Sequence, residues 1–174
     1  MKAFYNFGSS RFFWVLGVIF LLLMETTALY FQYALDLDPC ALCVQIRAWI
    51  MGALIIAICT SFVCTRFIWR WMGLTLTTAF LIGGLYTSWY SWGVEKGEII
   101  SSCSAGAGFP NFMPLDEWIP LLFAAPGICG QSPEMWFGLS MNEGLVMALG
   151  ITVIVLLLLW LLHFKEMVLS LKIT

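Results

Sequence analysis

Four stretches of the chain stay apolar for roughly the 20 residues that a helix needs to cross the hydrocarbon core of a bilayer. They cover residues 12–31, 41–63, 72–92 and 144–162. The pattern predicts an all-α membrane protein: one integral domain over residues 1–174, built as a bundle of four transmembrane helices. The polar positions gather between the runs, in a short loop over 32–40 and a long one over 93–143. The long loop contains Gly106, Gly108, Pro110, Pro114, Pro120, Pro126, Gly127, Gly130 and Pro133, so it cannot be one continuous helix. Within it, Leu115, Trp118, Ile119, Leu122 and Phe123 recur at helical spacing, with Asp116 and Glu117 on another face. That predicts a short amphipathic helix, lying on the membrane surface or packed as a turn on top of the bundle, with Pro120 limiting both versions. Lys2 and Arg11 ahead of the first run also suit a signal peptide. The run has the length of a full span, however, and no clear small-residue cleavage site follows it, so it reads as a span.

Composition sharpens this picture. Hydrophobic residues make up 61% of the chain and charged residues only 10%, against about 25% charged in an average soluble protein. So few charges cannot cover a soluble globule. No basic stripe is present for a nucleic acid. The partner that composition implies is the lipid bilayer; the net charge of −2 adds little.

The charges do set an orientation. Lys2, Arg11, Arg66, Arg70, Lys165 and Lys172 fall in the N-terminal tail, the loop between the second and third runs, and the C-terminal tail. With four spans these three regions share one side, which the positive-inside rule makes cytoplasmic. The other side receives Asp36, Asp38, Glu95, Glu98, Asp116, Glu117, Glu134 and Glu143, with Lys96 as the clear cation. Both termini are therefore expected in the cytoplasm and both loops outside, in the periplasm if the cell is bacterial.

Six cysteines carry the candidate chemistry. Cys59 and Cys64 lie in and at the cytoplasmic end of the second run, where they read as small apolar side chains. Cys40 and Cys43 lie at the short outer loop, and Cys103 and Cys129 in the long one, where an oxidising compartment permits disulfides. Structural staples are one reading of these four. A zinc site is another, weakened by the wide spacing of Cys103 and Cys129 and by the absence of His from the outer loops. The run Asp38-Pro39-Cys40-Ala41-Leu42-Cys43 favours redox work. Asp suits an N-cap and Pro the first helical position, so a helix is expected to start at Pro39 and to place both sulfurs at its N-terminus, where free amides favour thiolate. The small ring such a pair closes gains little loop entropy as a staple. Arg47 shares a helix face with both cysteines, and its charge inside the membrane calls for an anion or for snorkelling to the interface. Glu25 is a second charge inside the membrane. His163 is expected at the cytoplasmic interface.

These residues resemble the DsbB family, the bacterial inner-membrane disulfide bond formation proteins. The resemblance rests on Pro39-Cys40-Ala41-Leu42-Cys43 with Arg47, on Cys103 and Cys129, and on Glu25 with Thr27. It extends to Pro114-Leu115-Asp116-Glu117-Trp118-Ile119-Pro120 and to Gly138-Leu139 before Met141, and so spans nearly the whole chain. It implies a quinone-dependent protein-disulfide oxidoreductase with Cys40, Cys43, Cys103 and Cys129 as redox residues. A periplasmic DsbA-like thioredoxin-fold protein would attack a Cys103–Cys129 disulfide at Cys103, and electrons would pass to a Cys40–Cys43 disulfide. Cys43 would then meet a membrane quinone, ubiquinone or menaquinone, beside Arg47, with Glu25 and Met141 as further candidates for the quinone site. The sequence departs from the family in two places. The stretch Tyr86-Thr87-Ser88-Trp89-Tyr90-Ser91-Trp92 has no His, and Asn142, Glu143 and Gly144 follow Met141 with no Trp. A paralogue serving one dedicated thioredoxin-fold partner would look similar. A non-enzymatic four-span protein with structural disulfides and a quinone-independent thiol reductase remain as alternatives.

Overall fold

A computed structural model describes residues 8, 10–100, 107–127 and 138–173, with side chains described as far as 165. The first long helix, α1 (Arg11–Ala34), is capped by Ser10, whose hydroxyl accepts the Phe13 amide at 3.2 Å. This occupies one of the donors that a helix start leaves unpaired. Past Leu35 the chain turns through Asp36 at φ 50° and runs without regular structure to Cys40. Three more long helices follow: α2 (Ala41–Val63), α3 (Phe67–Glu95) and, after the second loop, α6 (Met141–Ile173). Two single turns, α4 (Leu115–Trp118) and α5 (Pro120–Phe123), lie within that loop.

α2 packs against both α1 and α3, and α3 against α6. Their shared core holds Trp14 and Leu21 of α1, Ile50, Ala53, Leu54 and Ala57 of α2, Leu74 and Leu81 of α3, and Leu149, Val153 and Leu159 of α6. Small residues set the closest approaches: Gly73 faces the Thr60 side chain, and Gly84 lies against Trp49. The outer surface is more aliphatic than a soluble protein tolerates, with Leu23, Ile55, Phe62, Ile68, Ile151, Ile154 and Leu161 all exposed. Only lipid can solvate that face.

Among the described residues three helices are long and apolar enough to cross a bilayer: Arg11–Ala34, Ala41–Val63 and the Met141–Lys165 part of α6. With no strand among the described residues, the chain is an all-α membrane protein. α3 has the length, at 29 residues, but turns Thr77, Thr78, Thr87, Ser88 and Ser91 inward. Most of these hydroxyls return to their own helix, as in Thr78 to the Leu74 carbonyl at 2.7 Å and Ser88 to the Gly84 carbonyl at 2.8 Å. Such polarity lowers the hydropathy of α3 without leaving those donors unmet.

The structure departs from the sequence expectations in two places here. Helices α3 and α6 begin ahead of their apolar runs, because helical hydrogen bonding does not stop at the hydrocarbon boundary. Ser140 and Glu143 form a reciprocal cap at the start of α6, the Glu143 amide donating to the Ser140 hydroxyl and the Ser140 amide to the Glu143 carboxylate, each at 3.2 Å. The amphipathic helix of the long loop is broken in two at Ile119, whose φ of −137° is extended. Pro120 crowds the residue before it out of the helical region. His163, expected at the cytoplasmic interface, is buried within the bundle at 1% exposure, with Nδ1 2.9 Å from the Leu159 carbonyl.

Candidate functional site

Cys40, and not Asp38, caps α2. Its sulfur accepts the Cys43 amide at 3.3 Å, and the first helical residue is Ala41. Asp38 and Pro39 instead lie outside the helix, and the Pro39 carbonyl accepts the Gly127 amide of the long loop at 3.1 Å. A Cβ at Gly127 would collide with the backbone of Asp38 and Pro39, so only glycine permits this approach. As the N-cap, Cys40 sets its sulfur against the free amides of the first turn. The Cys40 and Cys43 sulfurs are 2.7 Å apart. The Cys43 thiol hydrogen bond and the amides at the helix start bring the Cys40 thiol down from 9.0 to about 7, against the opposing effect of burial.

Both sulfurs open onto a cavity of about 400 Å³ between α1, α2 and the start of α6. Its walls are mostly apolar, with Phe20, Met24, Phe31, Ile50 and Leu145 among them. Among the described residues the polar groups on it, besides the two cysteines, are few: Glu25, Thr27 and Gln32 from α1, Arg47 from α2, Asp38 from the loop and Asn142 from α6. Met141 also lines it. The structure thus brings Cys40, Cys43, Arg47, Glu25 and Met141 around one space. Cys103 and Cys129 lie outside the described residues.

Arg47 does not snorkel. It is 5% exposed, and its Nη1 donates to the Gln32 side-chain oxygen and to the Leu122 carbonyl, each at 2.7 Å. Its Nε is 3.9 Å from Glu25 Oε2. Arg47 Nε and both Glu25 oxygens are buried and have no hydrogen-bond partner among the described residues. The site therefore holds a buried guanidinium and a buried carboxyl group with unused hydrogen-bonding capacity, next to two sulfurs and against apolar walls.

Sequence reasoning missed Gln32, the Leu122 carbonyl and Asn142. Gln32 had a signal, since it lies seven residues after Glu25 and so on the same face of α1. The Leu122 carbonyl is a backbone atom and had none. Asn142 was visible only as a departure from a family pattern. Its Nδ2 donates to Glu95 Oε2 at 3.0 Å, and Ser140 Oγ donates to the same oxygen at 3.1 Å. These bonds tie the cavity wall at the start of α6 to the end of α3. At the same place Lys96 bonds Glu143 at 2.9 Å, which holds the Lys96 ammonium above its ordinary value.

The loop is fixed to α2 at two further points. Gln45 Nε2 donates to the Ala107 carbonyl at 2.9 Å. Phe123, Ala107 and Val44 form a second small core over the start of α2.

A family model described as disulfide bond formation protein DsbB matches residues 10–161. Disulfide bond formation protein B of Shewanella frigidimarina is 29% identical, covering 95% of this chain and 99% of the relative. The protein of the same name from Haemophilus influenzae is 34% identical over 88% of each. That from Actinobacillus pleuropneumoniae is 32% identical over 95% of this chain and 94% of the relative.

Proposed function

The chain belongs to the DsbB family of disulfide bond formation proteins, and on that premise we propose that it reoxidises a periplasmic DsbA-like thioredoxin-fold protein and passes the electrons to a membrane quinone. The observation that carries this reading is the Cys40–Cys43 sulfur pair, 2.7 Å apart, facing a largely apolar cavity that also holds Arg47 and Glu25. The unpartnered Arg47 Nε and Glu25 oxygens fit a flat apolar ring with polar oxygens at its edge. Such a ring, when bound, accepts two electrons and two protons.

The chain's own residues then have separable tasks. A partner thiolate attacks Cys103 of a Cys103–Cys129 disulfide, releasing Cys129 as thiolate. Cys129 follows Gly127 by two positions in sequence, and the Gly127 amide is bonded next to Cys40. This favours Cys129 as the thiol that exchanges with the Cys40–Cys43 disulfide. The helix-start amides make Cys40 a good leaving and attacking sulfur. Arg47 stabilises negative charge in the cavity, on Cys43 sulfur or on a ring oxygen.

The same reading extends to topology. α3 has a lipid-type outer face, with Ile68, Met72, Leu76 and Ile82 exposed, and turns Thr77, Thr78, Thr87, Ser88 and Ser91 inward. This supports a fourth crossing, an inner-membrane location and cytoplasmic termini, with the cavity at the periplasmic end. The test is to mix the purified protein with a reduced thioredoxin-fold dithiol oxidase and a soluble ubiquinone analogue and to follow quinone absorbance. Stoichiometric loss of quinone with oxidation of the partner is expected. Partner oxidation without loss of quinone would overturn the proposal.

A further inference from the structure

The carboxyl of Glu25 has no structural duty that the fold reveals. It is 4% exposed, lies on the cavity wall, and neither oxygen accepts a hydrogen bond among the described residues. Its one charged neighbour, Arg47, has Nη1 committed to Gln32 and Leu122 and is 3.9 Å away through Nε, beyond hydrogen-bond reach. A buried carboxyl that merely tied helices together would be hydrogen-bonded. This one faces the space next to Cys43.

The proton count of the reaction leaves a vacancy for such a group. Oxidation of a dithiol by a quinone forms one S–S bond and two O–H bonds. Cys40 titrates at about 7, so near neutral pH much of it has no proton to give. We propose that Glu25 carries the second proton to the quinone oxygen. In the balanced step the Cys40 thiolate joins the Cys43 sulfur, the Cys43 S–H bond breaks, and two electrons go to the ring. One proton comes from Cys43 and one from the Glu25 carboxyl. Glu25 is left as a carboxylate beside the Arg47 guanidinium and takes up a new proton from water at the outer end of the cavity. Among the described residues, the other titratable or charged groups on the cavity are Cys40, Cys43 and Arg47 from α2 and its cap, and Asp38 from the loop. α6 contributes no charge to it. Asp38 is exposed, so it exchanges with bulk water and is poorly placed to hold a proton in reserve. The assignment rests on the quinone reading above.

The experiment uses the full-length protein in lipid nanodiscs with decylubiquinone as probe. Glu25→Gln keeps the size of the side chain and removes the acid. It is expected to bind decylubiquinone and to fold as wild type does. Single-turnover reduction by its Cys40–Cys43 dithiol should be slower by about a hundredfold, the scale of a lost general acid. Added formate or azide, small weak acids that fit the cavity, should restore part of the rate. In quinone-free protein, infrared difference spectra between acid and alkaline buffer should show one carboxyl band that Glu25→Gln lacks. A wild-type rate in Glu25→Gln, a slow rate that weak acids do not rescue, or loss of binding by a folded variant each overturns the assignment. Failure of the wild-type protein itself to bind decylubiquinone overturns the quinone reading beneath it, which separates the two. If Glu25→Gln does not fold, Glu25→Asp decides: a titrating band displaced from that of wild type supports the assignment, and an unchanged spectrum overturns it.

Discussion

Helix α2 carries two pairs of cysteines, one at each end, and they differ in everything except their element. Cys40 and Cys43 are three residues apart, share a face and meet at the helix start, where amides, a cavity and a guanidinium converge. Cys59 and Cys64 are five residues apart and point to different surroundings. Cys59 is exposed on the outer face of the bundle, and Cys64 is buried at the C-terminal end with its sulfur 3.4 Å from the Ser61 carbonyl. The two pairs have the same side-chain chemistry but opposite ends of the macrodipole. The start of a helix presents donors to a sulfur anion, and its end presents carbonyls. Position along one helix thus separates two sulfurs in contact at a donor-rich helix start from two that lie apart near its end.

The contrast can be broken most directly by removing one sulfur from each pair. Cys43→Ala should abolish quinone-dependent turnover in a stopped-flow assay. Turnover above the uncatalysed rate would show that the first pair is not the redox pair. Next in size is the loss of the charge beside it. Arg47→Met should weaken apparent quinone affinity or rate by about ten- to a hundred-fold, from one lost charged hydrogen bond of roughly 1.5–3 kcal/mol. Arg47→Lys should be affected less, since it retains the charge but not the planar fork. Thiol exchange with the partner, measured without quinone, should be unaffected, and an equal slowing of both steps would make Arg47 a mere anchor.

A smaller effect sharpens the electrostatic half of the comparison. In reduced protein the alkylation rate of Cys40 should rise with pH around a midpoint of about 7. In Cys43→Ser, where a hydroxyl replaces the thiol donor, the midpoint should move; in Cys43→Ala it should move further towards the ordinary thiol value. Because the folded thiol titrates below an unfolded one, the unfolded chain holds more protons between the two values. The stability of the reduced fold should therefore increase with pH above about 7, and lose that gain as pH falls through 7. Melting curves of reduced protein across this range check the sign. The smallest effect belongs to the other pair. Cys59→Ala with Cys64→Ala should leave turnover within a few-fold of wild type, and a loss of turnover in well-folded protein would reveal a third redox element.

The parts of the molecule that were legible in sequence are those written in side-chain pattern. The apolar runs of α1, α2 and α6 and the Cys40–Cys43–Arg47 face follow from hydrophobicity and helical period. α3 shows the limit of hydropathy, since Thr78 and Ser88 are polar by composition and yet internally satisfied in place. The helix start was misjudged because Asp38 and Pro39 make a good local cap. The long loop overrode that preference by bonding Gly127 to Pro39, a contact between distant segments that no local rule contains. The break at Ile119 could be anticipated from Pro120 but not located. Arg47 was noted for its charge, while its acceptors, a backbone carbonyl 75 residues away and a glutamine on another helix, were not readable from the pattern.

Those acceptors make Arg47 a joint as well as a charge. One nitrogen, Nη1, binds helix α1 through Gln32 and the second loop through Leu122. Lifting the 115–123 stretch takes one acceptor away from a buried cation, at a cost on the order of 1.5–3 kcal/mol. Linkage is reciprocal. Anything that pulls on the loop alters how firmly Arg47 holds negative charge in the cavity, and any charge that engages Arg47 there alters how easily the loop lifts. The 115–123 stretch and the cavity are therefore one thermodynamic unit, coupled through a single guanidinium.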